Sequence, residues 1–237
     1  MRLGILLAAL VLVCSGKSFS TADSPQVAQV LQALENRYGA ARTLQAKFLE
    51  RYTENGRFVR AESGMAYFLR PGKMRWDYEA PEKNTFLVDG KYVWFYSPAD
   101  RTATRMPVKQ SEDWRTPLAF LTFHMKLSRL CAKVELDSGS AASQAGDLVF
   151  RCDLAQSQPP DKSNARSGGY KAVLFEASRE GELRRIVVRE EAGMELEFSF
   201  SNWEWNPPLD KSTFEFIPPR GVVIVNGLLP EAPGLRQ

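Results

Sequence analysis

Residues 64–96 read GMAYFLRPGKMRWDYEAPEKNTFLVDGKYVWFY, and this stretch decides the predicted fold. Its apolar and aromatic segments are separated by Arg70-Pro71-Gly72, by Pro81 and by Asp89-Gly90. Each separator is of a kind that ends a strand or turns it sharply. We therefore predict three consecutive antiparallel strands here.

The middle strand of this stretch has one apolar face and one charged face. Large apolar side chains alternate with charged ones, which is the period of a half-buried strand. The last segment, residues 92–96, is apolar on both faces, so something else should cover it. The apolar set of the middle strand is Met74, Trp76 and Tyr78, and the charged set is Lys73, Arg75 and Asp77.

The segment before this stretch predicts a helix and two more strands. Ser24-Pro25 is a helix start, apolar residues follow at helical spacing, and Gly39 ends the run. Such an amphipathic helix must lie on another apolar surface. Residues 43–52 and 57–63 then follow a period of two, which gives about five strands by residue 96.

The segment after this stretch contains a short and very apolar helix at residues 117–126, preceded by a strand at 101–108. The helix must be buried on more than one side. An ordinary core helix and a lid over a cavity are both open at this point. Residues 156–169 are rich in Pro, Ser and Gly and predict a surface loop.

Strands dominate the rest of the chain, for a total of about ten or eleven. Because nothing alternates as strand, helix and strand, a parallel nucleotide-binding sheet is excluded. The predicted fold class is mainly β with few helices: a wide antiparallel sheet that curls into a barrel or half-open barrel. The predicted C-terminal strands are residues 131–136, 147–154, 170–177, 183–189 and 194–205, with closing strands at 214–216 and 222–225.

The first residues predict export. Residues 1–22 have the pattern of a secretory signal with an apolar run too short to span a membrane, and residues 23–237 are predicted to be a single domain. Cys14 at the end of the apolar run allows lipid attachment as an alternative, although Val13 before it is larger than such sites favour. Cys131 and Cys152 then remain as an even pair, predicted to form a disulfide; two buried thiols are the alternative.

Charge and residue types exclude several functions. Without Arg2 and Lys17, the 31 basic residues fall to 29 against 28 acidic ones, so clustered phosphate binding and a nucleic-acid partner are not expected. His124 is the single histidine and lies in an apolar segment, where it is expected to be a packed or lid-surface residue rather than a catalytic one. Asp77, Glu79 and Asp89 are expected to be structural or solvated. We predict no catalytic residue, no metal site, no cofactor and no enzymatic activity.

Three segments resemble a known family: FLRPGKMRWDYEAP at residues 68–81, LVDGKYVWFYSP at 87–98 and DKSTFEFIPPRGV at 210–222. Together they look like the periplasmic outer-membrane lipoprotein carrier proteins of the LolA type. The resemblance implies a half-open barrel whose apolar concave face is covered by helices. It also implies a monomeric periplasmic carrier of acylated lipoproteins, which an inner-membrane transporter supplies and an outer-membrane acceptor receives.

The resemblance also implies roles for individual residues. The helix after Ser24 and the segment after Pro117 would form a lid, and Arg70 would latch it by donating hydrogen bonds to backbone carbonyls of a lid helix. Composition alone, at 11% aromatic residues, favours a filled core over a cavity. The lipid-binding residues implied are Met74, Trp76, Tyr78, Trp94, Leu118, Phe120, Leu121, Phe198 and Phe200.

Two alternative functions stay open. The same half-barrel occurs in periplasmic regulators that sense lipids or lipoproteins and grip a membrane-bound protein, so a regulatory binding module is one alternative. If Cys14 is lipidated, the chain would instead be a membrane-anchored lipoprotein acceptor.

Overall fold

A computed structural model describes five segments of the chain: residues 25–110, 119–122, 127–154, 170–190 and 193–227. The predicted signal segment and Cys14 lie outside the described residues, and so does the predicted loop at 156–169.

Twelve strands and a few short helices make up the described segments. The helices are α1 (Pro25–Gly39), α2 (Ala119–Thr122) and α3 (Leu127–Leu130), with 3-10 helices at Val108–Gln110 and Lys211–Phe214. The strands are β1 (Thr43–Glu54), β2 (Arg57–Leu69), β3 (Lys73–Ala80), β4 (Asn84–Val88), β5 (Tyr92–Ser97), β6 (Thr102–Pro107), β7 (Cys131–Leu136), β8 (Leu148–Leu154), β9 (Tyr170–Ala177), β10 (Leu183–Glu190), β11 (Met194–Trp205) and β12 (Val223–Asn226).

All twelve strands belong to one open sheet, in the order β12-β6-β5-β4-β3-β2-β1-β11-β10-β9-β8-β7. Neighbouring strands are antiparallel except for β12, which pairs with β6 in parallel. The predicted fold class is confirmed: the chain is mostly β, and its wide sheet does not close. Two meanders, β1–β6 and β7–β11, meet where β1 pairs with β11.

The structure corrects three details of the predicted elements. Residues 64–96 contribute to four strands rather than three, because β4 forms between Pro81 and Asp89-Gly90. Residues 214–216 were predicted as a strand, but Phe214 ends a 3-10 helix that starts where the Asp210 side chain accepts a hydrogen bond from Ser212 N–H. Within the predicted helix at 117–126, the described residues form only the single turn α2.

The sheet curls strongly around its apolar face. Trp76 on β3 and Phe198 on β11 are three strand spacings apart, about 14 Å along a flat sheet. Their ring centroids are nevertheless only 5.4 Å apart. The face that carries them is therefore concave, and it holds most of the core. Fully buried aromatic residues of this core are Phe68, Trp76, Phe86, Phe150, Phe175 and Phe198.

Helix α1 covers part of the concave face with its apolar side. The Tyr38 hydroxyl accepts a hydrogen bond from Leu183 N–H at 3.0 Å, and burial raises the pKa of Tyr38. The turn between β9 and β10 also lies very close to the helix. A Cβ added to Gly181 would lie only 2.4 Å from Leu34 N. Helix α1 thus packs closely against β10 and the turn before it in this structure. Its buried residues include Val27, Val30, Leu34 and Tyr38.

A smaller apolar cluster lies on the opposite, convex face. Trp94 and Phe214 are buried there with Leu87, and Phe216 contacts Trp94 with ring centroids 4.8 Å apart. The chain from the 3-10 helix to Phe216 therefore covers the outer side of β4 and β5. This explains why residues 92–96 are apolar on both faces.

Cys131 on β7 and Cys152 on β8 form a disulfide with Cα atoms 5.3 Å apart. It joins the edge strand to its neighbour and follows directly on α3. A cross-link between residues separated by 21 positions reduces the number of conformations open to the unfolded chain and so lowers its entropy. We expect the double variant Cys131→Ser/Cys152→Ser to lose about 3 kcal/mol of unfolding free energy in the chain-entropy model.

Urea unfolding of the oxidised protein and of the double variant measures this loss. Reduction of the parent protein should lower its unfolding midpoint to that of the variant, and the same reductant should leave the variant unchanged. Equal midpoints for the oxidised parent and the variant would show that the disulfide does not stabilise the fold.

Candidate functional site

Arg70 lies at the end of β2, beneath the helices, and is only 6% exposed. Its Nη1 donates to the carbonyl oxygens of Tyr38, of Gly39 at 3.0 Å and of Ala41 at 3.1 Å. Its Nε donates to the carbonyl of Leu121 in α2 at 3.2 Å. One guanidinium therefore connects the end of α1, the link between α1 and β1, and α2.

The chemistry of helix ends explains this arrangement. The last carbonyls of a helix have no partner within the helix and carry the negative end of its dipole. A guanidinium with five donors satisfies several of them at once. Burial lowers the pKa of Arg70, but an arginine stays charged in proteins. The contact thus combines hydrogen bonds with a favourable charge.

Further hydrogen bonds tie the short helices to the sheet and to α1. Gly72 N–H donates to the Thr122 carbonyl in α2 at 2.9 Å. Leu127 N–H at the start of α3 donates to the Glu35 carboxylate of α1 at 2.8 Å. We call α1, α2 and α3 together the helical cover. Three of its side chains that are buried toward the core are Leu34, Leu121 and Leu127.

Aromatic side chains fill the concave face beneath the helical cover. Trp76 lies at the centre, with ring centroids 4.7 Å from Phe48 and 6.1 Å from Phe200. The structure brings most of the predicted lining residues together in one buried cluster, with Met74 partly buried against it. The predicted residues in this cluster are Met74, Trp76, Tyr78, Leu121, Phe198 and Phe200.

Trp94 does not join this cluster. It belongs to the convex-face cluster, where its indole Nε1 donates to the Asp89 carboxylate at 2.9 Å. Phe120 lies in α2, and Leu118 and His124 lie outside the described residues. Trp94 is therefore removed from the set of residues that could line a site on the concave face.

The concave face also carries a polar cluster that the sequence analysis missed. Glu50 on β1 is 2% exposed and accepts a hydrogen bond from the Tyr78 hydroxyl at 2.8 Å. Glu62 lies directly across from Glu50 on β2 and forms an ion pair with Arg60 at 3.2 Å. The sequence did indicate that Glu50 faces inward. It occupies one of the inward positions in the alternation of apolar and polar residues from Leu44 to Tyr52.

Two of the carboxylates considered in the sequence, Asp77 and Asp89, have structural partners. Asp77 pairs with Arg75 at 2.8 Å and accepts from Thr85 at 3.0 Å. Asp89 accepts the N–H groups of Lys91 and Tyr92 in the turn between β4 and β5. Among the described residues, no group of three potential metal ligands comes together. In the same part of the chain, no helix has both the length and the apolar character needed to cross a membrane.

Two small cavities lie away from the concave face. One of about 170 Å³ lies beside the turn at Gly56 and Gly193. The other, of about 260 Å³, lies on the convex side between Tyr96 and Phe216. The described side chains of the concave face pack mainly against one another.

The position of Trp94 leads to a testable prediction. Trp94→Phe should lower the unfolding free energy by about 1 kcal/mol, because it removes the hydrogen bond to Asp89 but keeps most of the apolar contact. Binding of an apolar fluorescent probe to the concave face should not change. Chemical denaturation and a probe titration measure the two effects, with Phe200→Leu on the concave face as the comparison. A weaker probe affinity for Trp94→Phe than for Phe200→Leu would contradict the assignment of faces.

Comparison with known proteins gives consistent results. Residues 39–148 match the family model described as outer membrane lipoprotein carrier protein LolA. The outer-membrane lipoprotein carrier protein of Nitrosomonas europaea is 28% identical over 204 residues, which cover 85% of this chain and 91% of that protein. The protein of the same name from Nitrosospira multiformis is 27% identical over 210 residues, covering 87% and 91%.

A solved structure supports the fold. The crystal structure of an uncharacterized conserved protein from Thermus thermophilus has a TM-score of 0.50 to this chain, at 14% sequence identity. The match covers 85% of this chain and 99% of the other. The similarity concerns the fold alone.

Proposed function

We propose that this chain, whose sequence is similar to outer-membrane lipoprotein carrier proteins, is a carrier that binds the acyl chains of lipoproteins on its concave face. It takes them up at the inner membrane and delivers them through the periplasm to the outer membrane. In this proposal residues 1–22 are the secretory signal and residues 23–237 form the single carrier domain, which acts as a monomer and performs no chemistry. Its partners are an inner-membrane transporter and an outer-membrane acceptor.

The observation that carries the proposal is the set of four backbone carbonyls around Arg70. These hydrogen bonds join α1 and α2 of the helical cover to the sheet at the end of β2. A contact made through one side chain can be broken and remade as a unit, unlike a broad apolar interface. Arg70 is therefore a latch, and the helical cover is a lid that opens when cargo enters.

The packing of the concave-face side chains against one another and against the helical cover supports binding by replacement. Acyl chains that enter would displace the apolar side chains of the helical cover and make similar contacts with the sheet. Burial of each methylene contributes about 0.8 kcal/mol, but the displaced side chains lose a comparable contribution. Uptake and release then differ little in free energy, which suits a carrier without its own ATP hydrolysis.

The proposed lining follows from the concave cluster. Met74, Trp76, Tyr78, Phe198 and Phe200 would contact the chains from the sheet, and Leu121 from the helical cover. Glu50 and Tyr78 form a polar border at the end of the face nearest the β1–β2 turn. Because acyl chains do not form hydrogen bonds, this border would mark the end of the bound chains.

The protein produced with its own signal and purified from the periplasm tests the proposal. Organic extraction followed by mass spectrometry should find acylated N-terminal peptides of lipoproteins. The purified protein should also release radiolabelled lipoproteins from spheroplasts into a soluble one-to-one complex. Phospholipid without acylated peptides, together with no release from spheroplasts, would overturn the proposal.

A further inference from the structure

The two edges of the open sheet differ in how they are protected. The edge strand β7 carries the ion pair Lys133–Glu135, an irregular register next to Lys133, and the disulfide to β8. Charged side chains and local irregularity are common ways to prevent an edge strand from pairing with another chain. The edge at β7 is therefore protected.

The edge at β12 lacks these features. Its residues Val223, Ile224 and Val225 are 61%, 40% and 44% exposed. The strand contains neither charge nor proline. Single exposed apolar residues are ordinary on a protein surface, but three in succession on an edge strand are not.

The backbone of β12 shows which groups are open. Val223 N–H donates to the Arg101 carbonyl at 2.9 Å, and Gly227 N–H donates to the Arg105 carbonyl at 3.2 Å. Since successive residues of a strand point their hydrogen-bonding groups in opposite directions, the N–H and C=O groups of Ile224 and Asn226 point away from β6. Among the described residues, no strand pairs with β12 on that side.

The strand is held in place before any partner binds. Asn226 Oδ1 accepts a hydrogen bond from Arg105 Nε at 2.7 Å. The segment leading into β12 lies against the convex face, where Phe216 contacts Trp94 and Tyr96. A preformed strand reduces the ordering cost of pairing.

The charge beside β12 is positive. Arg101 and Arg220 are exposed, and Arg105 is half-buried in register with Asn226. Asp100 is the neighbouring carboxylate, and it already accepts a hydrogen bond from the Ser97 hydroxyl. A segment that carries carboxylates next to its apolar residues would complement this edge.

We propose that β12 is a strand-addition site for an extended segment of a partner protein that has apolar residues flanked by carboxylates. The partner backbone would pair with Ile224 and Asn226, as in other complexes formed by strand addition. This docking is independent of what the concave face binds, because β12 lies at the sheet edge and outside the concave cluster.

A second copy of this chain is a poor match for the same edge. Pairing of β12 with itself would place the arginines of the two copies next to each other, which is unfavourable. A strand of four residues also offers far less than the roughly 1,200 Å² that stable interfaces bury. The contact is therefore suited to transient recognition of a different protein.

Photo-crosslinking in living cells tests the proposal. The full-length chain carries p-benzoylphenylalanine at position 223 in three backgrounds: otherwise unchanged, Ile224→Pro and Ile224→Thr. Proline removes the outward N–H while Val223, Val225 and Gly227 keep their bonds to β6. Threonine keeps that N–H and the branched side chain shape. A probe at Ile217, which is 78% exposed but off the edge, is the positional control.

The expected result is a crosslink at position 223 that falls at least tenfold with Ile224→Pro, persists with Ile224→Thr, and is absent from position 217. Peptide mapping should place it in a partner segment with apolar and acidic residues. Hydrogen exchange at Val225 should be unchanged in the proline variant, which verifies that β12 stays paired with β6. Equal crosslinking in all backgrounds, no crosslink, or a crosslink only to a second copy would overturn the proposal.

Discussion

Replacement of Arg70 by leucine is expected to release the helical cover while the twelve-stranded sheet stays folded. Four carbonyls lose their charged donor, and each such bond contributes about 1.5–3 kcal/mol. Because the four bonds share one guanidinium, their losses do not add fully. A combined loss of about 4 kcal/mol would raise the open population of the cover roughly a thousandfold.

Native-state hydrogen exchange measures this effect. Amides of α1 should exchange roughly a thousandfold faster in Arg70→Leu, whereas those of β1 and β11 should change little. The apolar probe should bind the variant more readily, and transfer of lipoproteins between membranes should be altered. Normal transfer by a variant with an open cover would refute the latch but not the position of Arg70.

Arg75→Leu is the matched control, because Arg75 is a partly buried arginine that also donates a hydrogen bond to a backbone carbonyl. Its partners, Asp77 and the Thr213 carbonyl, lie on the convex side. Arg75→Leu should therefore lower stability slightly and leave exchange of α1 unchanged. Faster α1 exchange in both variants would indicate general destabilisation rather than loss of a latch.

Gly181→Ala is expected to displace α1 from the sheet and to lower the unfolding free energy by about 4 kcal/mol. Gly181 has φ of +76°, and an added Cβ would lie 2.4 Å from both Ala33 C and Leu34 N. Both atoms belong to the helix backbone and cannot rotate away. Overpacking costs about 1–3 kcal/mol, and an alanine at positive φ adds roughly 1–2 kcal/mol.

Gly56→Ala separates the two contributions. Gly56 has φ of +77°, but nothing lies within 4 Å of the position that an added Cβ would occupy. Its alanine variant should thus lose only the conformational part, roughly 1–2 kcal/mol. Urea denaturation of both variants gives the difference. Equal losses would show that α1 does not depend on its contact with the β9–β10 turn.

The alternation of apolar and charged residues along β3 was sufficient to predict which of its side chains lie on the concave face. Met74, Trp76 and Tyr78 occupy one side of β3, whose other side carries Lys73, Arg75 and Asp77. The same method could not place Trp94, because a strand that is apolar on both sides gives no sign of which side faces the core. The answer depends on Phe214 and Phe216, which reach the strand from more than a hundred residues later in the chain.

The contacts of the helical cover were predictable only in part. An arginine that ends a strand and precedes proline suggested a latch through the family resemblance, and the structure supplies carbonyl acceptors from two helices. The role of Arg70 in transfer stays a prediction. The contact between Gly181 and Leu34 could not be predicted from the sequence. Glycine is common in turns and leucine is common in helices, so neither residue indicates that the two lie against each other.

The pairing of β1 with β11, which we call the seam, affects the order in which the protein folds. It joins distant parts of the chain, as in the hydrogen bond from Arg42 N–H to Asn206 Oδ1 across 164 residues. Each meander can form from local contacts, but the seam requires closure of a very long loop, which is slow. The inner face of the first meander therefore stays exposed during folding until β11 has paired with β1. Substitutions in β11 should then slow folding more than equally destabilising substitutions in β4 or β5.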